Sequence, residues 1–157
     1  MTSLRMKPFQ VGPHLTIGII LSAFAMCACL STPETKNKSA QELIKEGIRE
    51  IKLKSGILAK AAFRQVLEDF PDSKERIQAL LLLARTHYTD MEFEEAKYHF
   101  QKFIELHPAH NQADRAYFFK AMSDYQMIDL ATRDQTHTQE ALEGFKQLIY
   151  RFPKSRF

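Results

Sequence analysis

The chain has 157 residues, 22 of them basic and 19 acidic, which is enough for one modest domain and an additional segment. Its charge is nearly balanced, whereas nucleic-acid-binding domains usually carry a concentrated basic face, so nucleic acid is not an expected partner. The five glycines do not cluster, and the sequence contains neither a phosphate-binding glycine loop nor the nucleophile-elbow motif of hydrolases.

The N-terminal 28 residues have the organisation of a secretory signal. Arg5 and Lys7 precede an apolar run over 15–26, and small residues and cysteine follow it. A basic start, a short apolar stretch and a small-residue site are typical of a signal peptide. The run is shorter than the roughly 20 apolar residues that a helix needs to cross a bilayer. We therefore predict that residues 1–28 are a signal peptide and not a permanent membrane anchor.

The two cysteines of the chain lie at the end of this apolar run. Met26-Cys27-Ala28-Cys29 resembles a bacterial lipobox, in which a small residue precedes the cysteine that is acylated and becomes the new N-terminus. Ala28 fits this position, whereas the bulky Met26 precedes Cys27, so we predict that Cys29 carries the covalent lipid, palmitate included. A plain cleaved signal is the alternative. A Cys-x-Cys metal site is not expected, because the chain has no further cysteine to complete it.

A polar segment follows the predicted lipid attachment. Residues 29–38 contain one proline and few apolar side chains, which is typical of a flexible tether. Leu30 stands where an aspartate retains some lipoproteins in the inner membrane. The resemblance therefore implies an outer-membrane lipoprotein whose folded part faces the periplasm. Several acyl chains make such attachment durable, because each buried methylene contributes about 0.8 kcal/mol.

From Ser39 onward, apolar residues recur with the three-and-four spacing of helices that face a core. Ser39-x-x-Glu42 and Thr89-x-x-Glu92 have capping-box spacing, which predicts a helix start at each. The six helices that we predict cover residues 40–54, 57–69, 74–89, 92–106, 112–128 and 138–151.

One spacing set occurs three times in this region. An alanine is followed by a phenylalanine four residues later and by a proline after eight more. A small residue precedes each copy and is given first in each of the three groups. The groups are Gly47 with Ala59, Phe63 and Pro71; Ala84 with Ala96, Phe100 and Pro108; and Ala121 with Ala141, Phe145 and Pro153. This pattern resembles the tetratricopeptide repeat, a pair of helices. We predict an all-α, tetratricopeptide-like superhelical array of about three helical hairpins over 39–157, with repeats at about 40–73, 74–110 and 112–155. An ordinary helical bundle is the alternative.

The third repeat resembles one family in particular. The stretch from Thr132 to Thr138 (TRDQTHT) and the helix that ends in Arg151-Phe152-Pro153-Lys154-Ser155 are similar to the long loop and helix of the third repeat in the BamD family. With the lipobox and the earlier repeats, the resemblance covers about residues 24 to 157. BamD is the outer-membrane lipoprotein of the β-barrel assembly machinery.

The resemblance implies a non-enzymatic scaffold, with no cofactor besides the covalent lipid on Cys29. Its implied partners are a BamA-like barrel subunit and unfolded outer-membrane proteins. BamD-like proteins usually have five repeats, so we expect a C-terminally truncated form here. A solenoid end needs a polar cap, but none follows the last helix, whose apolar residues are Leu142, Phe145, Leu148, Ile149 and Phe152, with Phe157 behind them. We therefore expect an exposed apolar face or a truncated gene product.

In such arrays the first helix of each pair lines the concave surface. Helical phase therefore predicts a mixed apolar, aromatic and cationic groove for an extended peptide or the C-terminal segment of a barrel substrate, since Arg and aromatic residues often anchor interfaces. Its expected residues are Arg85, Tyr88, Arg115, Phe118, Met122 and Tyr125, with Ile44, Ile48, Gln78 and Leu81 beside them. Core residues are the alternative interpretation of Ile44, Ile48 and Leu81.

No metal site is predicted. His107-x-x-His110 flanks Pro108 in a turn, but no carboxylate or cysteine set accompanies it, so solvated histidines are the simpler interpretation. Two other functions remain open from the sequence. One is a periplasmic tetratricopeptide adaptor of the CpoB/YbgF type in cell-envelope coordination. The other is the accessory domain of an enzyme that was truncated along with its catalytic part.

Overall fold

The computed structural model describes residues 38–128 and 135–157, and every regular element in these ranges is an α-helix. The helices are α1 Ala40–Lys52, α2 Gly56–Asp69, α3 Glu75–Thr89, α4 Phe93–Leu106, α5 Ala113–Gln126 and α6 Thr136–Arg151. Each predicted helix is confirmed to within two residues at either end. The predicted signal peptide, the tether and Cys29 lie outside the described residues, as does the segment 129–134 of the long third-repeat loop. None of the described helices is long and apolar enough to cross a membrane.

The helices stack as successive antiparallel pairs. Each helix packs on the next one along the chain, and α1 also contacts α3 while α3 contacts α5. Within the described ranges, the backbones of α2 and α4 do not approach each other, and neither do those of α4 and α6, although the long side chain of Lys97 in α4 reaches Glu140 in α6. The first helices of the pairs, α1, α3 and α5, therefore form an inner row of neighbours. The second helices, α2, α4 and α6, form an outer row in which the helix axes lie further from one another. This arrangement confirms an all-α, tetratricopeptide-like array, in which each pair shields its neighbour.

The hydrophobic core follows this stacking. A first cluster of buried side chains joins α1, α2 and α3, and Phe63 is its largest fully buried member. A second cluster joins α3 to α6 around Phe100, Phe103 and Leu148. Leu67 packs against both clusters. The core therefore runs as a line along the array and not around one closed centre, which argues against an ordinary bundle.

The repeat positions are where helices approach most closely. Ala59, Ala84, Ala96 and Ala121 are all fully buried. A Cβ atom added at Gly47 would collide with the ring of Phe63, which belongs to the same helical pair. A Cβ atom added at Gly144 would lie 2.8 Å from the Cβ of Ala121. The small residues therefore let the two helices of a pair cross at short distance, because any larger side chain there would meet its partner helix.

One of the two predicted capping boxes is present. The Ser39 hydroxyl accepts a hydrogen bond from the backbone N–H of Glu42, and the Glu42 carboxylate accepts one from the backbone N–H of Ser39. The prediction for Thr89 and Glu92 is wrong. Thr89 is the last residue of α3, and its hydroxyl donates to the carbonyl of Thr86 at 2.9 Å. Glu92 precedes α4 but makes no side-chain cap, because its carboxylate binds Lys60 and His87 from other helices.

We expect the substitution Ser39→Ala to lower the free energy of unfolding by about 1 kcal/mol, because it removes the acceptor for an amide that has no partner inside the helix. Urea unfolding followed by circular dichroism measures the change. Ser55→Ala is the matched control, since Ser55 precedes α2 without a side-chain cap and should change stability by only a few tenths of a kcal/mol. Equal losses in the two variants would contradict the expectation.

The last helix leaves apolar side chains uncovered. Leu142 is 55% exposed and Ile149 is 68% exposed, which confirms the predicted exposed apolar face of α6. Leu148 differs, because it is only 3% exposed and belongs to the second core cluster. Leu148 and Ile149 are neighbours in sequence, so helical geometry turns one towards α5 and the other away from the array.

Candidate peptide-binding groove

A cavity of about 400 Å³ lies on the inner row of helices, between α3 and α5. It has an apolar floor and a rim of basic and amide side chains. Its lining residues are Lys74, Ile77, Gln78, Leu81, Leu82 and Arg85 near or in α3, Phe100 in α4, and His110, Asn111, Gln112, Arg115 and Phe119 in or just before α5. The second and third helical pairs therefore form this cavity together, and we call it the groove.

The charged side chains that line the cavity carry positive charge. Lys74, Arg85 and Arg115 line it, and none of the residues that the structure places around it is Asp or Glu. Arg85 is exposed and Arg115 is half-buried. The guanidinium group of arginine binds a carboxylate through two parallel, charge-assisted hydrogen bonds. The arrangement can therefore hold a segment that offers both apolar side chains and a negative group.

The turn before α5 shapes one wall of this cavity. His110 accepts a hydrogen bond on Nδ1 from the backbone N–H of Gln112 at 3.2 Å, and its ring meets Phe103 edge-on at 5.4 Å between centroids. Burial lowers the pKa of the nearby His107, and the positive charges of His110 and Arg76 act in the same direction. These histidines thus have structural contacts in the turn.

The structure brings some of the predicted groove residues together and separates others. Arg85 and Arg115 both line the cavity, as do Gln78 and Leu81. Ile44 is buried, which supports its alternative interpretation as core. Ile48 is half-buried and packs against the first core cluster, and Leu81 belongs to the second core cluster while also lining the cavity.

The predicted aromatic residues flank the cavity. Tyr88 packs edge-on against Phe119 at 5.1 Å and against Phe93 at 5.5 Å. Phe118 packs against Phe119 at 5.3 Å. The two remaining predicted residues lie further along α5 and do not line the cavity. They are Met122, which is half-buried, and Tyr125, which is 55% exposed.

Sequence reasoning missed several lining residues. Asn111 lies in a turn, and Lys74 and Gln112 stand directly before α3 and α5, so helical phase gives little information about these three residues. Phe100 is a repeat phenylalanine, and the repeat spacing does not show that it also lines a cavity. Phe119 carried a usable signal, because it lies one helical turn after Arg115 and therefore shares its face.

A charge cluster joins the second and third helical pairs. The Lys97 ammonium lies 2.6 Å from Asp124 Oδ1 and 2.5 Å from Glu140 Oε2, and Asp124 is fully buried. His137 Nδ1 lies 3.9 Å from Asp124 Oδ1 and 3.7 Å from Glu140 Oε2. Donor atoms of Asp124, His137 and Glu140 lie within 4.8 Å of one another. The Lys97 ammonium lies between the two carboxylates and offsets part of their charge. The cluster therefore works as an ion pair that fixes α4 to α5 and α6.

An equivalent cluster joins the first and second pairs. The Lys60 ammonium lies 2.8 Å from Asp90 Oδ2 and 2.7 Å from Glu92 Oε1. Burial lowers the pKa of Lys60, but the two carboxylates outweigh it and hold that pKa above its ordinary value. Lys60 and Lys97 each follow the alanine of their repeat, whereas the third repeat has Leu142 at this position. The repeated lysine was a sequence signal for these contacts.

Comparison with known proteins places the chain in a family. Residues 36–157 match the model of the YfiO family, described as outer membrane lipoprotein. The chain is similar to outer membrane protein assembly factor BamD of Caulobacter vibrioides, at 24% identity over 157 residues, which cover 97% of this chain and 52% of that protein. It is also similar to BamD of Rickettsia prowazekii, at 29% identity over 145 residues, covering 91% and 56%. The chain thus spans about half the length of these curated relatives. With most of its length matched and an all-helical repeat array, this chain belongs to the YfiO/BamD family of outer membrane lipoproteins.

Proposed function

We propose that this protein is a non-enzymatic lipoprotein scaffold of the outer-membrane β-barrel assembly machinery, and that its groove binds segments of unfolded barrel proteins or of partner proteins. The cavity between α3 and α5 carries this proposal, because it combines an apolar floor with three basic side chains and no acidic one. Family membership supports the process, since the curated relatives are named as outer membrane protein assembly factors.

Recognition would combine two interactions. The half-buried Ile77, Leu82 and Phe119 offer apolar surface to the non-polar side chains of an extended segment. Arg85 and Arg115 offer guanidinium groups to an acidic side chain or a terminal carboxylate. Such a pairing of an apolar anchor with a fixed polar contact is the usual basis of specific recognition in a concave site.

The chemistry of the lining supports a binding role. The cavity is lined by apolar, aromatic, basic and amide side chains, which suit a segment that a scaffold holds.

Attachment to the outer membrane, facing the periplasm, forms part of the same proposal. A lipid on Cys29 would hold the array at the membrane surface, where a BamA-like barrel subunit would be its partner. Co-purification of this chain with the barrel subunit from detergent is expected. Recovery of the chain without that subunit, but with peptidoglycan-associated proteins, would instead favour an adaptor of the CpoB/YbgF type.

We expect the double substitution Arg85→Glu and Arg115→Glu to weaken binding of an unfolded outer-membrane barrel protein at least tenfold. The two glutamates would repel the acidic groups that Arg85 and Arg115 attract in the natural protein. Fluorescence anisotropy of a labelled barrel protein, diluted from urea into the full chain in detergent, measures the affinity.

The matched control is Arg64→Glu with Lys146→Glu. Both side chains are exposed, and both lie on helices of the outer row. The control changes the net charge by the same amount but leaves the groove intact. Equal weakening in both double variants would show that binding follows net charge alone, and would remove the groove from the proposal.

A further inference from the structure

The turn between α1 and α2 exposes a compact group of apolar side chains. Leu53 is 66% exposed, Ile57 is 79% exposed and Leu58 is 56% exposed. Ile51, in the last turn of α1, is exposed as well. Single exposed apolar residues are ordinary on a protein surface, whereas a group of them marks a contact site. We call residues 51–58 the α1–α2 tip.

The other repeats carry polar residues at the same positions. Ile57 and Leu58 directly precede Ala59, the alanine of the first repeat. The equivalent residues are Glu94 and Glu95 before Ala96 in the second repeat, and Gln139 and Glu140 before Ala141 in the third. The apolar character is therefore a property of the first repeat and not of the repeat pattern.

The fold does not require apolar residues at these positions. Lys54 in the first turn and Met91 in the turn between α3 and α4 have left-handed φ angles of 59° and 62°. The residue before each of them is Leu53 in the first turn and Asp90 in the second. The same turn therefore forms with a polar side chain where the tip has an exposed leucine.

The start of α2 also lacks a charge that would stabilise it. The first turn of α4 contains Glu94 and Glu95, whereas the first turn of α2 contains no acidic residue. Negative side chains stabilise a helix N-terminus through its dipole. Ile57 and Leu58 thus gain neither burial nor this electrostatic term, which indicates a role outside the stability of the fold.

The exposed charge of the tip is positive. Lys52 and Lys54 are exposed, and neither forms an ion pair within the described part of the chain. Residues 51–67 contain no aspartate or glutamate. Lys60, the other lysine of this stretch, is already paired with Asp90 and Glu92. The tip therefore combines apolar side chains with two cations that are available to an outside group.

Contacts with the second pair hold the tip in a fixed direction. The backbone N–H of Ser55 donates to the carbonyl of Glu50 at 2.9 Å, which closes the turn. A Cβ atom added at Gly56 would collide with the carboxylate of Asp90, so the turn lies directly against the end of α3. The exposed side chains therefore project from a turn that is fixed on the array.

We propose that the α1–α2 tip inserts its apolar side chains into the interface of a lipid bilayer, with Lys52 and Lys54 at anionic headgroups. Apolar residues with neighbouring lysines are typical of segments that lie in this interface, since burial and attraction to anionic lipid act together. Lysine is depleted in interfaces between proteins, which favours a bilayer over a protein as the occupant. The chain belongs to a family of outer membrane lipoproteins, so a bilayer is an available surface.

A single indole at the tip tests this insertion. The chain has no tryptophan, so Leu53→Trp gives one reporter in the full chain. The protein is reconstituted into vesicles of phosphatidylcholine and phosphatidylglycerol, with or without bromine on the acyl chains. We expect emission at shorter wavelength than in water, and bromine should lower its intensity about twofold or more, because the indole lies in the interface. Leu142→Trp is the matched control, since Leu142 is 55% exposed on α6 and should show neither change.

The second variant gives the first repeat the residues of the second. In the Leu53→Trp chain, Ile57→Glu with Leu58→Glu should abolish quenching by bromine, because carboxylates are repelled by anionic headgroups. Helices should be retained by circular dichroism, since α4 begins with the same two glutamates. Ile149→Glu with Tyr150→Glu is the matched control, because these neighbours are exposed apolar residues of α6 and should leave quenching unchanged. High salt, or vesicles of phosphatidylcholine alone, should weaken quenching in the Leu53→Trp chain.

Three outcomes would overturn the inference. The first is an indole at the tip that is quenched no more than the indole of Leu142→Trp. The second is quenching that Ile57→Glu with Leu58→Glu does not reduce, because the indole alone would then cause insertion. The third is an unquenched tip whose Ile57→Glu, Leu58→Glu change lowers recovery of the barrel subunit from detergent, which would assign the tip to a protein partner. None of these outcomes bears on the groove, because the Arg85 and Arg115 variants measure its binding separately.

Discussion

Replacing Lys97 with methionine is expected to lower the free energy of unfolding by about 3–5 kcal/mol, because it leaves a buried carboxylate without its partner. Asp124 is fully buried, and its closest cation is the Lys97 ammonium at 2.6 Å. Lys120 lies 3.8 Å away and compensates only in part. Methionine is unbranched and only one heavy atom shorter than lysine, so the change removes the charge with little loss of packing. Urea unfolding at neutral pH measures the difference.

The loss should depend on pH in a defined direction. Burial raises the pKa of Asp124, and Lys97 opposes that rise. Without Lys97 the folded-state pKa rises further above the unfolded value, so the folded state gains protons more readily and loses stability as pH increases. A hydrogen bond from Lys97 also lowers the pKa of Glu140. This interaction stabilises the folded natural chain at pH values above the unfolded pKa of Glu140, and the stabilisation is lost as pH falls through the folded pKa. The Asp124 effect makes the deficit of Lys97→Met smaller near about pH 5 than near about pH 7, whereas the Glu140 effect reduces the deficit only below the unfolded pKa of Glu140.

Two further variants test the cause of the loss. Lys102→Met removes an exposed ammonium from the same helix and should change stability by less than about 0.5 kcal/mol. The double variant Lys97→Met with Asp124→Asn should recover part of the loss, since it no longer buries an unpaired charge. A deficit that is equal at both pH values, or that the double variant does not reduce, would contradict the role assigned to this ion pair.

The helices and the linear core were predictable because their signals are local. The spacing of Ala59, Phe63 and Pro71 encodes a close helix crossing, a core side chain and a helix end within one repeat. Three copies of the same spacing then give the number of pairs. Apolar periodicity supplied the helix limits to within two residues.

The failures involve contacts between pairs, which no local pattern encodes. Thr89 and Glu92 match a capping box, but Glu92 binds Lys60, 32 residues earlier, in an ion pair whose full positive charge a backbone amide does not offer. Arg85 and Arg115 form one site only because α3 and α5 stack side by side. Helical phase identified the face of α5 but not where the groove ends, so Tyr125 was included although it lies beyond it.

A matched pair of substitutions at one repeat position should show how much stability the neighbouring pair provides. Phe63 and Phe145 are the same residue of the first and third repeats. Phe63 is 0% exposed and faces Gly47, whereas Phe145 is half-buried on the last helix and contacts Phe118 at 6.1 Å between centroids. We expect Phe63→Ala to cost about 3–5 kcal/mol, because it removes a fully buried ring and leaves a cavity in the first core cluster.

Phe145→Ala should cost only about 1–2 kcal/mol, since its ring is partly in water in the folded chain and gains less from burial. In a stacked array, stability is a sum of contributions from each pair and from the interface with its neighbour. The same side chain therefore stabilises most where its own pair and a neighbouring pair both cover it, as they cover Phe63. Urea unfolding of both variants, followed by circular dichroism at a single protein concentration, measures the two losses. Equal losses would mean that the ring of Phe145 is as well covered as that of Phe63.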